Sequence, residues 1–347
     1  MVNEEVALRI CSLLCSGTEI VYELGLGDDL VAVTDRCDYP TEAKGKPVAS
    51  RDVISSDLPS DEIDHIVREA IRAGRSTHIL DEEVLRAARP DLVLTQDLCD
   101  VCDVGSNEVA QVFRDFVPRP RFLVLGPRTP GGVLRSMIEV GEAAGAHSAA
   151  RQTVAKLEAR LRAVGSRTML ASHRPRVACL EWLDPLIAPG HWAPEMIWLA
   201  GGALTAGLHG AHGVRVEWPE IAASAPEVLI LHPCGFSIER TLEEIDTVAN
   251  APEWASLPAV QSGEVYVMDP NYLSRPGPRL VRAVEILGRI LQPELVDGDI
   301  PEGVVRKLDP ASSTQVPWRD RFSEFASVGA PTLRSGARAS TVKGAER

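Results

Sequence analysis

Three features are scarce in this sequence, and each scarcity excludes a class of protein. Lys and Arg number 36 against 49 Asp and Glu, and the net charge of −13 favours neither a nucleic acid nor an anionic membrane as partner. No run of about 18 apolar residues is present, so we expect no membrane insertion. The start, MVNEEVALRI, lacks the basic residues and the apolar stretch of a secretory signal. We therefore predict a cytoplasmic protein, or a periplasmic or cell-surface one if a signal was removed ahead of this sequence.

Catalytic signatures are also missing. The chain has no G-x-S-x-G elbow, no H-E-x-x-H and no G-x-x-x-x-G-K-[ST] loop, so none of the chemistries that these motifs carry is indicated. Its seven cysteines are an odd number without the close, even spacing of a disulfide framework. Such cysteine usage is typical of a reducing compartment.

What is present is an alternation of strand and helix signals in both halves of the chain. Short apolar runs such as 30–35, 91–96 and 121–126 alternate with helical segments, and the alternation resumes after 176. This pattern predicts an α/β protein with two Rossmann-like lobes of mostly parallel sheet.

Between the two halves, no strand signal appears from 129 to about 171. Val154, Leu157, Leu161 and Val164 recur there at helical spacing, which predicts a long linking helix of about 50–60 Å if it runs unbroken through Gly145. The predicted units are an N-terminal lobe at 8–127, a linking helix at 128–172, a C-terminal lobe at 173–296, and an extension at 297–347 that ends in a disordered tail.

Several unusual side chains follow predicted strands, and ligands of open parallel sheets lie beyond the carboxyl ends of strands. Gln96 ends one strand, and Trp182, Trp192 and Trp218 lie in loops rich in proline and glycine. Flat aromatic walls suit a large planar ligand, although packing of the seam between the lobes is the alternative. His191 lies just before a predicted helix. It is either a polar residue next to the helix cap or an axial ligand to cobalt or haem iron.

Five cysteines also lie near predicted strand ends: Cys15, Cys37, Cys99, Cys102 and Cys234. Thiolates prefer soft or borderline metals, so some of these residues, with or without His191, form a candidate site for zinc, copper or iron, or a reactive-thiol site. The alternative is that these cysteines are packing residues and a structural contact that holds a loop together.

Four stretches resemble class III periplasmic-type substrate-binding proteins, the vitamin B12 and iron-chelate group. They are SLLCSGTEIVYELGLGDDLVAVTDRCDYPTEA, RPDLVLTQ, RVEWPEI and YLSRPGPRLV. The resemblance covers about residues 8–296, and the pairing of LTQDLCDVC with HPCGFS resembles a branch of cobalamin-binding proteins. It implies two α/β lobes joined by one long helix, with the ligand held between the lobes.

The resemblance also nominates site residues. In B12-binding members the tyrosine of the DYP stretch and the tryptophan of the WP stretch flank the corrin, which points to Tyr39 and Trp218. The SRPGPR loop borders the cleft and adds Tyr272 and Arg275. The planar guanidinium of Arg275 suits a phosphate or a carboxamide, or else a salt bridge to the second lobe.

Together these features predict a protein that binds a corrin-like or metal-chelate ligand between two lobes without turnover, with cobalamin favoured. The alternative is a cytoplasmic enzyme on the same scaffold, which would use cleft cysteines or a cysteine-bound metal in a biosynthetic reaction. The expected partner is a small molecule, with an ABC permease as a further partner only if the protein is exported.

Overall fold

The computed structural model describes residues 8–97, 106–313 and 315–325. Its strands are β1 (Ile10–Ser12), β2 (Leu30–Thr34), β3 (Val48–Asp52), β4 (His78–Leu80), β5 (Leu92–Gln96), β6 (Arg121–Leu125), β7 (Arg176–Leu180), β8 (Trp182–Leu183), β9 (Leu186–Ala188), β10 (Ala203–Leu204), β11 (Val214–Arg215), β12 (Val228–Leu231), β13 (Val265–Met268), β14 (Val305–Leu308) and β15 (Phe322–Glu324). Its α-helices are α1 (Cys15–Glu23), α2 (Ser60–Arg72), α3 (Glu82–Ala88), α4 (Ser106–Val112), α5 (Pro130–Ala143), α6 (His147–Thr168), α7 (Ala193–Leu199), α8 (Trp218–Ala223), α9 (Ile238–Glu243), α10 (Asp246–Ala249), α11 (Pro258–Ser262), α12 (Pro270–Leu273) and α13 (Arg279–Leu291).

The first lobe is built on a sheet whose described strands run in the order β4-β3-β2-β1-β5-β6. Neighbouring strands pair in parallel except β3 and β4, which are antiparallel. The central strand β5 reads LVLTQ and is buried along its whole length. A continuous apolar strand of this kind requires a sheet that is covered on both faces.

The second lobe repeats this architecture in the order β10-β7-β12-β13-β14-β15. The first four of these strands are parallel, whereas β14 and β15 are added in antiparallel fashion at one edge. A small antiparallel sheet of β11, β9 and β8 lies beside it. The predicted α/β fold with two mostly parallel lobes is confirmed, and β14 and β15 extend the second lobe beyond the boundary predicted at 296. The predicted disordered tail at 326–347 lies outside the described residues.

Two helices, α5 and α6, connect the lobes. Thr129 caps α5 by accepting a hydrogen bond from the Gly132 N–H at 3.0 Å, and the turn after α5 uses Gly145 at φ +76°. The 22-residue α6 is therefore the long helix, about 33 Å in length at 1.5 Å per residue. The length of 50–60 Å was predicted for a helix unbroken at Gly145; the chain instead turns there, and α5 packs back against α6.

The face of α6 that was predicted from spacing is buried: Val154, Leu157, Leu161 and Val164. This helix packs on α7 and α13 of the second lobe, while α5 contacts α1 and β6 of the first. The pair of helices therefore ties the two lobes together through apolar contacts on both sides.

Candidate functional site: the cleft between the lobes

A cleft of about 640 Å³ lies between the lobes. Its first wall comes from loops that follow β1, β2, β3, β5 and β6, and its second wall from loops that follow β7, β12 and β13 together with the start of α7. These loops leave the carboxyl ends of parallel strands, where open α/β sheets bind their ligands. The volume lies within the range of roughly 300–1,000 Å³ that is usual for small-molecule sites.

Aromatic side chains form much of the second wall. The ring of Trp182 lies 5.1 Å from that of Phe236, and its Nε1–H donates to the Ser60 carbonyl of the first lobe at 3.2 Å. Trp192 is buried, and its Nε1–H donates to the Leu273 carbonyl at 2.6 Å. Two of the three tryptophans nominated from the sequence, Trp182 and Trp192, therefore line the cleft. Sequence reasoning missed Phe236, although the HPCGFS stretch that contains it was singled out.

His191 lines the cleft beside these aromatic side chains. Its backbone is left-handed at φ +51°, and its N–H donates to the Ala211 carbonyl at 2.6 Å. The ring lies 5.4 Å from that of Trp192 and 5.0 Å from that of His212. Burial, with help from His212 and Arg128, lowers the pKa of His191 to about 4. The imidazole is therefore neutral at physiological pH.

Cys15 and Cys37 meet at the base of the first lobe's wall. The Cys37 thiol contacts Thr18 Oγ1 at 3.1 Å and Thr34 Oγ1 at 3.3 Å, and Cys15 contacts the same Thr34 oxygen at 3.8 Å. The hydrogen bond between the two thiols raises the pKa of Cys15, as does burial, and the same bond lowers the pKa of Cys37. These thiols are thus satisfied by each other and by threonine hydroxyls.

The predicted cysteine metal site is not found where the chain is described. Cys234 lines the cleft in the second lobe, whereas Cys99 and Cys102 lie outside the described residues. Within the described ranges, no group of three or more His, Cys, Asp or Glu side chains is arranged to hold a metal. The prediction of zinc, copper or iron at these cysteines therefore has no support in the structure. Gln96, by contrast, is buried at the end of β5 and lines the cleft, as predicted.

Arg275 closes one rim of the cleft by reaching into the other lobe. Its Nη1–H donates to the Asp38 carboxylate, its Nη2–H donates to the Arg36 carbonyl at 3.2 Å, and Glu19 lies 3.5 Å from Nη1. Arg279 donates from Nε to Glu19 at 3.0 Å. Burial by itself lowers the pKa of Arg275, but Cys15, Asp38 and Glu19 raise it above its ordinary value. The sequence suggested a salt bridge to the second lobe as the alternative role of Arg275, but its carboxylate partners lie in the first lobe.

Three predicted aromatic residues do not line the cleft. Tyr39 and Tyr272 both contact Arg279, whose guanidinium carbon lies 4.4 Å and 5.3 Å from the two ring centroids. They therefore flank the Arg275 rim from outside. Trp218 begins α8 and packs on Trp254 at 6.0 Å between ring centroids, partly buried against the apolar core of the second lobe. Its ring does not line the cleft, and the assignment of Trp218 as a ligand contact stays a prediction.

A second set of contacts bridges the opposite rim. Arg240 donates from Nε to the Ser56 carbonyl at 3.2 Å and from Nη2 to the Leu58 carbonyl at 2.8 Å. Glu244 accepts a hydrogen bond from the Ser60 N–H at 2.8 Å. No sequence pattern singled out these residues, because their partners lie about 180 positions away along the chain. Both rims of the cleft are therefore closed by hydrogen bonds between the lobes.

The charge of the cleft wall is predominantly negative. Its carboxylates are Asp35, Asp38, Asp52, Asp64 and Glu181. The arginines of the wall, within the described residues, are Arg36 and Arg275, and each is paired with a carboxylate. Arg36 Nη2 lies 2.7 Å from Asp52 Oδ2, while Arg275 binds Asp38. A negatively charged ligand would therefore have to break one of these ion pairs before it could use either guanidinium.

Two α/β lobes that enclose an aromatic cleft and are linked through a long helix define a ligand-binding protein of the bilobed type. The sequence profile described as "Periplasmic binding protein" matches residues 10–272. The chain belongs to that family, as its sequence motifs predicted.

Curated relatives agree with this assignment. The chain is 28% identical over 291 residues to a vitamin B12-binding protein of Vibrio cholerae, covering 80% of this chain and 87% of that protein. It is 23% identical over 297 residues to an ABC transporter substrate-binding lipoprotein of Bacillus subtilis, covering 84% of each chain.

Solved structures show the same fold. The vitamin B12-binding protein of Vibrio cholerae has a TM-score of 0.59 at 21% identity, covering 82% of this chain and 96% of that one. A periplasmic heme-binding protein of Roseiflexus has a TM-score of 0.63 at 20% identity, covering 82% of this chain and 98% of that one.

The family assignment corrects one prediction. We expected a cytoplasmic location from the first residues of the sequence, but this expectation is wrong for a member of a periplasmic family whose relatives include a transporter lipoprotein. Among the described residues, no helix is both long and apolar enough to cross a membrane.

Proposed function

We propose that this protein captures a corrinoid, with cobalamin as the favoured ligand, in the cleft between its lobes and releases it unchanged. The main support for the proposal is the negative charge of the cleft wall, in which Arg36 and Arg275 are both paired with carboxylates. A porphyrin such as heme presents two carboxylates at neutral pH, which call for available cations. The corrin ring of cobalamin presents neutral carboxamides instead, and these donate hydrogen bonds to carboxylates and carbonyls.

The aromatic wall supports the same ligand class. Trp182 offers flat apolar surface, with the largely buried Phe236 and Trp192 beside it in the same wall, and Ile54 and Leu125 lie on the opposite wall. A planar macrocycle buries both faces between such surfaces, which contributes about 25 cal/mol for each Å² of apolar area removed from water. The similarity to a vitamin B12-binding protein over four-fifths of the chain points in the same direction.

The proposed setting is extracytoplasmic, where the protein delivers its ligand to an ABC permease. Membership of the periplasmic family and similarity to an ABC transporter substrate-binding lipoprotein support this setting. The permease is therefore the expected protein partner.

The test is a pair of titrations with cyanocobalamin and hemin, followed by tryptophan fluorescence and by the visible spectrum of each ligand. We expect saturable 1:1 binding of cyanocobalamin and at least tenfold weaker binding of hemin, a difference of about 1.4 kcal/mol. The variant Trp182→Ala should weaken cyanocobalamin binding by a similar factor. The matched control is Trp198→Ala, which removes a tryptophan that is 52% exposed and lies outside the cleft wall.

A charge variant directly tests whether the paired arginines exclude heme. Asp52→Asn removes the negative charge that is paired with Arg36. The asparagine keeps a side-chain oxygen that can accept the hydrogen bond from the Ile54 N–H, which is 2.8 Å long in the unaltered protein. If the paired arginines exclude heme, this variant should gain affinity for hemin relative to cyanocobalamin. Tighter binding of hemin than of cyanocobalamin by the unaltered protein would overturn the choice of a corrinoid.

A further inference from the structure

One nitrogen in the cleft wall has no partner. His191 lines the cleft, and its Nε2 is buried without a hydrogen bond to any described residue. Buried side-chain nitrogens are normally paired, since leaving one unpaired costs free energy. An unpaired, neutral imidazole nitrogen in a ligand cleft is therefore an unsatisfied acceptor or donor that a ligand can complete.

The backbone holds His191 in an unusual conformation at this position. A φ of +51° is uncommon for a residue other than glycine, although His, Asn and Asp adopt it more often than most, and the short hydrogen bond from the His191 N–H to the Ala211 carbonyl maintains it. Gly190 is packed so closely against Ala211 and His212 that a Cβ there would overlap their backbone. Strained positions of this kind cluster at functional sites, where the surrounding structure fixes a side chain in place.

The aromatic neighbours restrict the ring as well. Trp192, which lies 5.4 Å away in a stacked arrangement, is itself fixed by its bond to Leu273, and His212 meets the ring edge-on at 5.0 Å. These contacts leave the Nε2 end without a protein partner among the described residues. Because Nε2 is buried, it reaches a ligand only when the imidazole turns towards the cleft. That turn breaks no side-chain hydrogen bond, although it gives up part of the packing on Trp192 and His212.

We propose that His191 coordinates the cobalt of the bound corrinoid through Nε2. The inference rests on the proposed function, because it requires a metal-centred macrocycle in the cleft. The step is a ligand exchange in which the cobalt–oxygen bond to an exchangeable water breaks and a cobalt–nitrogen bond forms. The neutral imidazole supplies the electron pair, the water leaves, and the oxidation state of cobalt is unchanged.

The experiment compares two corrinoids. Aquocobalamin carries an exchangeable water, whereas the cyanide of cyanocobalamin is not displaced by imidazole. We expect the visible bands of aquocobalamin to shift on binding, as imidazole replaces water, and those of cyanocobalamin to keep the positions expected for the unchanged cyanide complex. The variant His191→Asn should abolish the shift with aquocobalamin, because asparagine offers no imidazole nitrogen to the cobalt.

The choice of variant keeps the test interpretable. Asparagine tolerates the left-handed backbone that residue 191 adopts, so His191→Asn preserves the loop. His209→Asn is the matched control, since His209 lies on the neighbouring loop and its side chain is 58% exposed beside Glu195. That control should keep the full spectral shift.

The outcomes separate the two proposals. Binding of aquocobalamin without a band shift, or a shift that persists in His191→Asn, overturns coordination by His191 while corrinoid binding stands. Failure of both corrinoids to bind overturns the proposed function and this inference with it.

Discussion

At the scale of single residues, Glu19 is the most constrained charge in the protein. Its side chain is 1% exposed, and it is paired with both Arg275 and Arg279 from the other lobe. A buried carboxylate of this kind is tolerated only because two guanidinium groups replace its lost hydration. The same two arginines organise the rim formed by Asp38, Tyr39 and Tyr272, so the effect of Glu19 extends to the entrance of the cleft.

We therefore predict that Glu19→Gln lowers the free energy of unfolding by about 3–5 kcal/mol, because it leaves the largely buried guanidinium of Arg279 without its carboxylate partner and Arg275 with Asp38 alone. Urea unfolding monitored by circular dichroism measures the change. The control is Glu158→Gln on α6, whose carboxylate is 48% exposed and pairs with Arg162 one turn away. That surface pair should contribute only about 0.5 kcal/mol. Equal effects of the two variants would contradict the role assigned to Glu19.

At the scale of secondary-structure elements, the contact between α5 and α6 decides how the lobes are joined. The two helices approach most closely at Gly141 and Ala150, where a Cβ on residue 141 would overlap the Ala150 methyl group. Only glycine at position 141 allows this approach without a shift of the helices. The turn at Gly145 then directs α6 back along α5 and onto the second lobe.

The close approach predicts opposite effects for two glycine substitutions in α5. Gly141→Ala should lower the free energy of unfolding by about 1–3 kcal/mol, since the added methyl group overpacks the contact. Gly131→Ala, in the first turn of the same helix, adds a methyl group where no atom lies within 4 Å. That control should leave stability unchanged or raise it by at most about 1 kcal/mol, because alanine favours helix over glycine. Thermal unfolding of both variants checks the prediction, and a neutral Gly141→Ala would show that the helices separate at no cost.

At the scale of the whole molecule, the lobes are held together at both rims of the cleft as well as through α6. One rim is bridged by Arg275 and Arg279, and the other by Arg240 and Glu244, which bind backbone groups of the first lobe. Arg215 adds an ion pair to Asp64 at 3.1 Å on the same side as Arg240. A ligand that enters or leaves the cleft must therefore pass a rim whose hydrogen bonds open and close.

The Arg240 rim should control the rate at which ligand leaves. Arg240→Ala removes two hydrogen bonds between the lobes and the contact of the guanidinium with the Phe236 ring at 4.5 Å. We predict that cyanocobalamin dissociates about tenfold faster, which corresponds to about 1.4 kcal/mol. Stopped-flow displacement measures the rate, with Arg72→Ala on the outer surface of α2 as control. A rate equal to that of the unaltered protein would mean that this rim does not retain the ligand.

The two lobes and the face of α6 could be predicted from the sequence because they depend on local patterns. Buried strands such as LVLTQ are apolar along their whole length, and helices show their buried face every three or four residues. The strand-end position of Gln96, Trp182 and His191 followed from the same reasoning, since parallel strands expose their carboxyl ends at one edge of the sheet. Family membership followed from the quoted motifs.

Only the tertiary structure decided which of these strand-end side chains meet in the cleft. Trp218 and Phe236 both follow predicted strands, yet Trp218 packs on Trp254 away from the cleft, whereas Phe236 lines the cleft although it is only 4% exposed. Arg275 finds its carboxylate partners in residues more than 230 positions earlier in the chain. No local pattern encodes such pairings, because they depend on how two separately folded sheets are oriented by the packing of α5 and α6.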